Sequence, residues 1–551
     1  MNKFLYIILF FSCININAQN LLLKINSTLE KENVIIDSIS YQKNHENAKS
    51  IISEFEKFQN TLYNDGYINQ RLISSKKTND STFTYVITLN KRIKSIKINF
   101  DSIQPDVKKI LSINDSFIQI PIDKTESYIL NYLQILEKQG YSISQIKLDN
   151  QIISDNQINA QLKIILDEKR KIDLITINPY TNFPKGINKQ LLKKYIKKDF
   201  NQQTITELQK ELSQFPFIKT VKPPEVLFTE NKTVLYLFLE KANSNQFDGL
   251  IGFSNDDNET VRFNGNVDLK LMNILNKGEQ FNLYWRNDGN QQSTFNLGTE
   301  LPYLFQSPIG LKANLQIFKQ DSTQQNTKFN ASLLYYITYN NKVGLGYQST
   351  TSVAGEFNTY AAQNYSNQFL TLNYEFSHYR EHVLFPLQTR ITGLAGTGNR
   401  KDDNSKVNQQ FVDLEAFHHF YLDERNIVYL KGKAYQLFSP SILYNELYRF
   451  GGVQNIRGFN ENTLQAQSLA GIFTEYRFVL SPTLYAHSIT DYVYYIDDST
   501  NTKGNLYSVG LGIGIATPSG LFNLIYANGL QPKQEFKMSN SIIHLSYKTQ
   551  F

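Results

Sequence analysis

The second half of the chain is a succession of short segments in which apolar and polar residues alternate. Sixteen such segments can be counted, from Phe247–Phe253 to Ser541–Phe551. Alternation with a period of two gives a β-strand one apolar and one polar face. No stretch after the first 20 residues comes near the roughly 18 apolar residues that a membrane-spanning helix needs. This part of the chain is therefore predicted to be all-β.

The connections between these segments alternate in length. Tight links follow the even-numbered segments, and longer polar links follow most of the odd-numbered ones. This asymmetry is typical of outer-membrane β-barrels, and an even strand count returns both ends of the barrel to the periplasmic side. The 34 Tyr and 37 Phe residues agree with such a barrel, although a soluble β-sandwich remains an alternative. The tight links include 340–342, 422–425, 481–483 and 517–520, and the long ones include 351–366, 396–408 and 529–540.

The first 18 residues are predicted to be a signal peptide. Lys3 supplies a positive charge, Phe4–Phe11 is a short apolar stretch, and Ala18 is a small residue at a cleavage site. Lipidation of Cys13 after cleavage before it is the alternative. Cys13 is the single cysteine of the chain, so the mature protein is expected to have no internal disulfide.

The part between the leader and the barrel repeats a pattern of amphipathic helices and strand pairs. Residues 19–243 hold 32 Lys and Arg against 25 Asp and Glu, whereas residues 244–551 hold 23 against 25. Repeats of roughly 70 to 80 residues with helices laid on a small sheet predict three α+β units in a row. We expect these units at 19–100, 101–178 and 179–243, followed by the barrel at 244–551.

The longest polar link, Ser439–Ser468, contains a motif that identifies a family. It follows the eleventh segment and is therefore the sixth outer loop. The motif resembles that of the BamA, TamA and FhaC superfamily of outer-membrane assembly and secretion proteins, in which Gly-Gly precedes Val/Ile-Arg-Gly-Phe/Tyr. The matching residues of this chain are Gly451, Gly452, Ile456, Arg457, Gly458 and Phe459.

The resemblance implies partners for the motif arginine. Arg457 should pair with Glu475 and Asp491, which match the acidic residues on the inner faces of the next two strands. A guanidinium in a shielded lumen has to be paired, and its fork suits carboxylates. The family usually has Gly two residues after that Asp, whereas this chain has Val493, which weakens the match of Asp491.

The resemblance also implies an architecture and a function. The chain is expected to consist of α+β POTRA-like repeats followed by a transmembrane barrel of about 16 antiparallel strands, most like the TamA branch. Such a protein inserts or secretes client proteins at the outer membrane and uses no catalytic residues, cofactor or nucleic acid. Its expected partners are unfolded outer-membrane or secreted clients and outer-membrane lipid, and a periplasm-spanning or lipoprotein partner is left open. The alternative is a two-partner secretion transporter that exports one or a few soluble proteins through its lumen.

The first and last strands of the barrel are predicted to form a lateral gate. The first strand contains Gly249 and Gly252, and glycine weakens packing and pairing in a strand. The last strand places Leu545, Tyr547 and Phe551 on one apolar face. An opened seam would expose unpaired backbone groups to a client strand.

The sequence gives little support for an enzymatic or metal-binding function. There is no Gly-x-Ser-x-Gly elbow and no phosphate loop, and His418 and His419 would point to opposite faces of one strand. A lysine-rich stretch in the third unit could contact anionic lipid or an acidic partner, but a solvated helix face is the favoured interpretation. Its lysines are Lys189, Lys193, Lys194, Lys197 and Lys198.

Overall fold

A computed structural model describes residues 21–551 except 155, 256–260, 288–291, 321–322, 356–361, 454 and 532–536, with no side-chain description for 250–255 and 261–264. The expected signal peptide and Cys13 lie outside the described residues. Two compact units are present. The first comprises the described part of Met1–Arg170 together with Asp199–Gln203, and the second comprises Lys171–Lys198 and Thr204–Phe551.

The first unit contains two α+β repeats, each with a four-stranded mixed sheet. The first repeat has sheet order β2-β1-β4-β3, and the second has order β6-β5-β8-β7. The elements of the first repeat are β1 (Leu21–Ser27), α1 (Glu30–Ser38), β2 (Asn44–His45), α2 (Ala48–Asn64), β3 (Arg71–Lys77) and β4 (Thr82–Thr88). Those of the second are β5 (Ser95–Asn99), α3 (Pro105–Ile110), β6 (Phe117–Pro121), α4 (Thr125–Lys138), β7 (Gln145–Ser154) and β8 (Gln157–Ile165).

A third α+β repeat belongs to the second unit. Its sheet has the order β10-β11-β9. Its elements are β9 (Leu174–Pro179), α5 (Lys185–Tyr195), α6 (Gln202–Leu212), β10 (Ile218–Phe228) and β11 (Thr233–Lys241). In all three repeats the first strand pairs in parallel with a later one, β1 with β4, β5 with β8 and β9 with β11. The apolar faces of the helices cover these sheets, as the burial of Ile51, Phe55 and Phe58 of α2 illustrates.

The expected boundaries between the repeats fall too late in the chain. The sequence predicts that the first repeat ends at residue 100 and the second at residue 178. The structure places β5 in the second sheet and β9 in the third, because their parallel partners in β8 and β11 lie 62 and 60 residues further along the chain. A strand that opens a repeat looks, locally, like one that closes the repeat before it.

Sixteen antiparallel strands close into a barrel, which confirms the predicted fold class. The first eleven are β12 (Gln246–Asn255), β13 (Val261–Met272), β14 (Gln280–Asn287), β15 (Gln292–Leu301), β16 (Ile309–Gln320), β17 (Gln324–Thr338), β18 (Asn341–Ala354), β19 (Tyr365–Tyr379), β20 (Leu387–Asp402), β21 (Lys406–Tyr421) and β22 (Asn426–Phe438). A short hairpin, β23 (Tyr448–Phe450) and β24 (Leu464–Ala466), lies in the sixth outer loop. The last five barrel strands are β25 (Ser468–Ser481), β26 (Leu484–Asp497), β27 (Thr502–Thr517), β28 (Gly520–Leu530) and β29 (Ser541–Gln550).

One expected long loop is mostly strand. The polar stretch 396–408 extends β20 to Asp402 and starts β21 at Lys406, so only a short turn remains. Polar residues that face a wet lumen alternate with small ones, and such a pattern resembles a loop in sequence. None of the helices in the described part of the chain is both long and apolar enough to span a membrane.

Candidate functional site

The sixth outer loop, residues 439–467, folds back into the barrel. Its apolar residues Phe450, Ile456 and Phe459 form one buried cluster with inward-facing residues of β25, β26 and β27. Burial of these side chains against the barrel wall removes apolar surface from water and stabilises the inward course of the loop. The loop therefore brings its motif to the inner face of β25, β26 and β27.

Arg457 lies at the centre of this arrangement and is only 4% exposed. Its Nε donates to Asp491 over 2.9 Å, and its backbone N–H donates to the same carboxylate over 3.1 Å. Its two terminal nitrogens donate to Asp491 and to Glu475. The structure thus brings together all three residues that the sequence analysis singled out, which we call the tip clamp. Both carboxylates are themselves buried, so each needs a charged partner in this place.

The strand register explains why these two carboxylates can share one arginine. Asp491 on β26 is the register partner of Phe473 on β25, and Glu475 lies two residues further along the same strand. Residues two apart in a strand project to the same face, so Glu475 points into the lumen beside Asp491.

Glu475 also holds a second arginine that the sequence analysis missed. Arg477 Nε donates to Glu475 over 2.7 Å, and the Arg477 guanidinium lies between the rings of Phe385 and Tyr429. Arg477 Nη1 also lies 2.7 Å from Nε2 of His419. The i, i+2 spacing of Glu475 and Arg477 was the signal in the sequence that could have revealed this pair.

Gly458 allows the motif to approach β28 closely. Its φ of +77° is a left-handed conformation, and a Cβ there would lie 2.4 Å from the backbone nitrogen of Gly529. Gly451, with φ of +115°, would place a Cβ 2.3 Å from the carbonyl oxygen of Asn460, where the motif turns on itself. The tip of the loop therefore contacts β25, β26 and β28 together.

A second set of buried polar contacts holds the beginning of the loop. Arg400 on β20 is 1% exposed; its Nη1 donates to Glu446 over 2.5 Å, and its Nη2 donates to Ser441 Oγ over 2.8 Å. Gln409 on β21 donates to the other oxygen of Glu446 over 2.9 Å. We call Arg400, Gln409 and Glu446 the base anchor. This anchor is not predicted from the sequence, because Arg400 lies in the polar stretch 396–408, which resembles a loop.

A third contact crosses to the opposite flank of the barrel. Glu461, just after the motif, accepts a hydrogen bond from Arg286 on β14 over 2.6 Å. Because Gly458 contacts β28, the tip of loop six contacts strands on either side of the pair formed by β29 and β12.

The seam between β12 and β29 is short, although both strands are described along their whole length. It has only two register pairs, Gln246 with Gln550 and Phe247 with Thr549. A hydrogen bond of 2.7 Å from Thr549 Oγ1 to the carbonyl of Phe247 reinforces this end, and Phe551 pairs with Asn245 just beyond it. By contrast, β12 forms ten register pairs with β13, and β28 forms nine with β29.

The predicted gate residues lie along this short seam. Gly249 and Gly252 lie in the part of β12 that pairs with β13 but not with β29. Leu545 and Tyr547 face outward from β29, and Phe551 ends the chain beside the paired end. Among the described residues, no group of three or more His, Cys, Asp or Glu side chains could hold a metal ion.

Comparison with known proteins agrees with the barrel fold. Residues 273–545 match the family model of the Omp85 superfamily domain. CdiB from Acinetobacter baumannii has a TM-score of 0.51 and 16% sequence identity, with 83% of this chain and 90% of that chain covered. For CdiB from Escherichia coli the TM-score is 0.51 and the identity 12%, with 91% and 98% covered.

The chain was also compared with a BamA structure and with the curated proteins. A structure of BamA from Haemophilus ducreyi lacking POTRA domains 1–3 has a TM-score of 0.49 and 13% identity, with 82% of this chain and 98% of that chain covered. None of the curated proteins matches the sequence significantly. At these identities the likeness to solved structures concerns the fold.

Proposed function

The barrel of this chain is an Omp85 superfamily domain that lies in the outer membrane, and we propose that it acts on client proteins by opening the seam between β12 and β29. In the broad sense of its superfamily the protein is an outer-membrane insertion or secretion factor. The lateral opening, and the choice between insertion and secretion, are the proposed part.

The observation that supports this proposal is the two-pair seam. The part of β12 from Asp248 to Asn255 pairs with β13 along one edge and has no register partner in β29 along the other. Backbone N–H and C=O groups on an unpaired edge can pair with an added strand of another chain. A client strand could therefore extend the barrel at this place without breaking an existing ladder.

Insertion is favoured over secretion through the lumen by the course of loop six. The loop lies inside the barrel and is held there by the tip clamp, the base anchor and the contact between Glu461 and Arg286. A soluble chain that crosses the lumen would require the buried tip clamp and base anchor to break. A client at the seam would leave both in place and would disturb at most the half-exposed contact between Glu461 and Arg286. The three α+β repeats add edge strands that can hold an extended client in the periplasm.

A disulfide across the seam tests the lateral opening. In a chain with Cys13→Ser, the substitutions Phe247→Cys and Thr549→Cys join two residues that the structure already pairs, so the bond needs little movement. We expect the oxidised variant to lose activity and to recover it with reductant. The matched control is Asn523→Cys with Ser546→Cys, which cross-links β28 to β29 away from the seam and should remain active. Full activity of the oxidised seam variant would refute the gate.

Quantitative proteomics of cells that depend on the locked variant separates the two roles. Loss of several unrelated barrel proteins from the outer membrane would establish an insertion role. If only one or two proteins disappear from the medium while the membrane fraction is unchanged, the secretion alternative is correct. The same comparison in cells with the control disulfide corrects for effects of oxidation.

A further inference from the structure

The third α+β repeat contacts two neighbouring periplasmic turns of the barrel within the second compact unit. In the turn between β13 and β14, Asn273 donates to the hydroxyl of Tyr180 over 2.7 Å. In the turn between β15 and β16, the carbonyl oxygen of Gln306 accepts from Gln190 of α5 over 2.8 Å. Gly186 of α5 packs so closely on Tyr303 that a Cβ would lie 2.8 Å from it. Helix α5 is thus fixed beside these turns.

Both turns present apolar side chains to the outside. Phe305 is 98% exposed, and Leu275 in the other turn is 65% exposed. The backbone that presents Phe305 is strained, because Tyr303, Phe305 and Gln306 have φ values of 51°, 52° and 59°. Non-glycine residues in this conformation persist only where the surroundings impose it, and they cluster at functional sites. The contacts of Tyr303 and Gln306 with α5 impose it here.

These exposed side chains continue the lipid-facing surface of the barrel. The adjoining strands direct Phe281 of β14 and Ile309 of β16 outward, where they are 36% and 44% exposed. The two turns lie at the periplasmic ends of these strands, directly before β14 and β16 in the chain. A phenylalanine at this level has access to the boundary between acyl chains and headgroups, where apolar and aromatic side chains are stabilised.

Helix α5 adds a positively charged face next to these turns. Lys185, Lys189 and Lys193 follow each other at intervals of four residues and are exposed, so they share one face of the helix. Gly186 and Gln190, which contact the turn, each come one residue later, so the two faces are adjacent. We call the three residues the lysine face.

The lysine face forms no ion pair within the described part of the chain. Lys194 and Lys198 are ion-paired with Glu211 and Glu207, whereas the lysine face makes no such pair among the described residues. The sequence of α5 contains no acidic residue. Lysines without an ion pair, beside exposed apolar side chains, are complementary to a binding partner that presents both negative charge and apolar groups.

We propose that the lysine face, Phe305 and Leu275 together form a binding site for anionic phospholipid of the periplasmic leaflet, beside the strands that lead to the seam. The lysines contact the phosphate-bearing headgroups, and the two apolar side chains enter the boundary with the acyl chains. The site binds the third repeat to the membrane surface. This inference rests on the outer-membrane location of the barrel and not on the proposed opening of the seam.

A fluorescent label at position 305 tests the apolar half of the site. The full-length variant with Cys13→Ser and Phe305→Cys, labelled with an environment-sensitive dye, is reconstituted into phosphatidylethanolamine vesicles with or without phosphatidylglycerol. We expect a blue-shifted emission that is quenched by spin-labelled lipid and that shifts further with phosphatidylglycerol. Emission as in water under both conditions would overturn the proposal.

The lysine half is tested in the same label background. The variant Lys185→Gln/Lys189→Gln/Lys193→Gln should lose the phosphatidylglycerol-dependent shift, and its affinity for phosphatidylglycerol, measured by native mass spectrometry, should fall about fivefold per lysine. The control Lys109→Gln/Lys124→Gln/Lys147→Gln removes the same charge from exposed sites in the second repeat and should behave as the parent. An unchanged shift and affinity in the first variant would refute a lipid site. Cross-linking of the lysine face to an acidic protein, with no response to lipid, would overturn it in favour of a protein partner.

Discussion

The two edges of the last five barrel strands are held in opposite ways. At one edge, β25 and β26 are joined by a long ladder and by the buried guanidinium of Arg457 between Glu475 and Asp491. At the other edge, β29 meets β12 at two register pairs. Loop six strengthens the edge at β25 and β26, and its tip also approaches the edge at β29. This difference indicates that β25 and β26 form a rigid wall, whereas the seam between β29 and β12 can open with the loss of few hydrogen bonds.

Loop six also connects the two flanks of that joint. Gly458 touches β28 on one side of the seam, and Glu461 is paired with Arg286 of β14 on the other. The flanks can separate only if one of these contacts breaks or the loop tip moves with one flank. We therefore expect substitutions in the loop to affect the rigid wall strongly and the seam weakly.

The largest effect is expected for Arg457→Ala. Removing the arginine leaves Asp491 buried without its guanidinium, and breaking a buried ion pair costs about 3–5 kcal/mol. Chemical unfolding of the purified barrel in detergent micelles should report this loss of free energy. Arg457→Lys, which keeps the charge but not the fork, should lose less. The control Arg425→Ala removes an exposed turn arginine and should be neutral; equal stability of the Ala variants would show that the tip clamp is not structural.

Gly458→Val should have the second largest effect. The left-handed φ and the backbone of Gly529 leave no room for a β-branched side chain, so the motif must withdraw from β28. We expect a loss of about 3 kcal/mol, from backbone strain and overpacking together. Gly432→Val on β22 is the matched control, because a Cβ there would meet nothing within 4 Å. If both variants unfold alike, the approach of the motif to β28 contributes nothing.

Glu446→Gln tests the base anchor separately from the tip clamp. The substitution keeps the shape but removes one of the two carboxylate charges that face the buried Arg400, the other being that of Asp402. A hydrogen bond between charged groups is worth about 2 kcal/mol. Limited proteolysis of intact cells should then cut the start of loop six, near residues 439–447, faster than in the parent. Asp403→Asn in the neighbouring exposed turn should not change the cleavage. Unchanged cleavage in the Glu446 variant would mean that the loop does not depend on this anchor.

Much of the fold could be predicted from the sequence because its patterns are local. Strand alternation and turn lengths specify a barrel of sixteen strands, and the Ile-Arg-Gly-Phe motif pointed to Arg457, Glu475 and Asp491, which the structure places together. The repeat boundaries were placed wrongly because the parallel pairing of β5 with β8 connects distant residues and leaves no local signal.

Two parts of the candidate site could not be predicted for the same physical reason. Arg400 and Glu446 of the base anchor lie 46 residues apart, in polar stretches that carry no periodicity to distinguish lumen-facing strand from loop. The length of the seam depends on the register and twist at the point where the barrel closes. Sequence identifies β12 and β29 as the closing strands, but only the structure shows that they pair at two positions.

The smallest expected effect, and the sharpest test of the comparison, is that of Glu461→Gln. Arg286 is 43% exposed and Glu461 18%, so solvent screens the ion pair and its loss should cost less than about 1 kcal/mol of total stability.

The effect of Glu461→Gln on the seam should be visible all the same, because the ion pair is one of the contacts that hold the flanks together. Hydrogen exchange of the amides of β12 should accelerate by up to about fivefold, since 1 kcal/mol corresponds to that factor, while exchange of β25 and β26 should stay unchanged. Glu424→Gln, in the exposed turn after β21, is the control. Equal acceleration in β12 and β25 would mean that the two edges open together and that the wall is no more rigid than the seam.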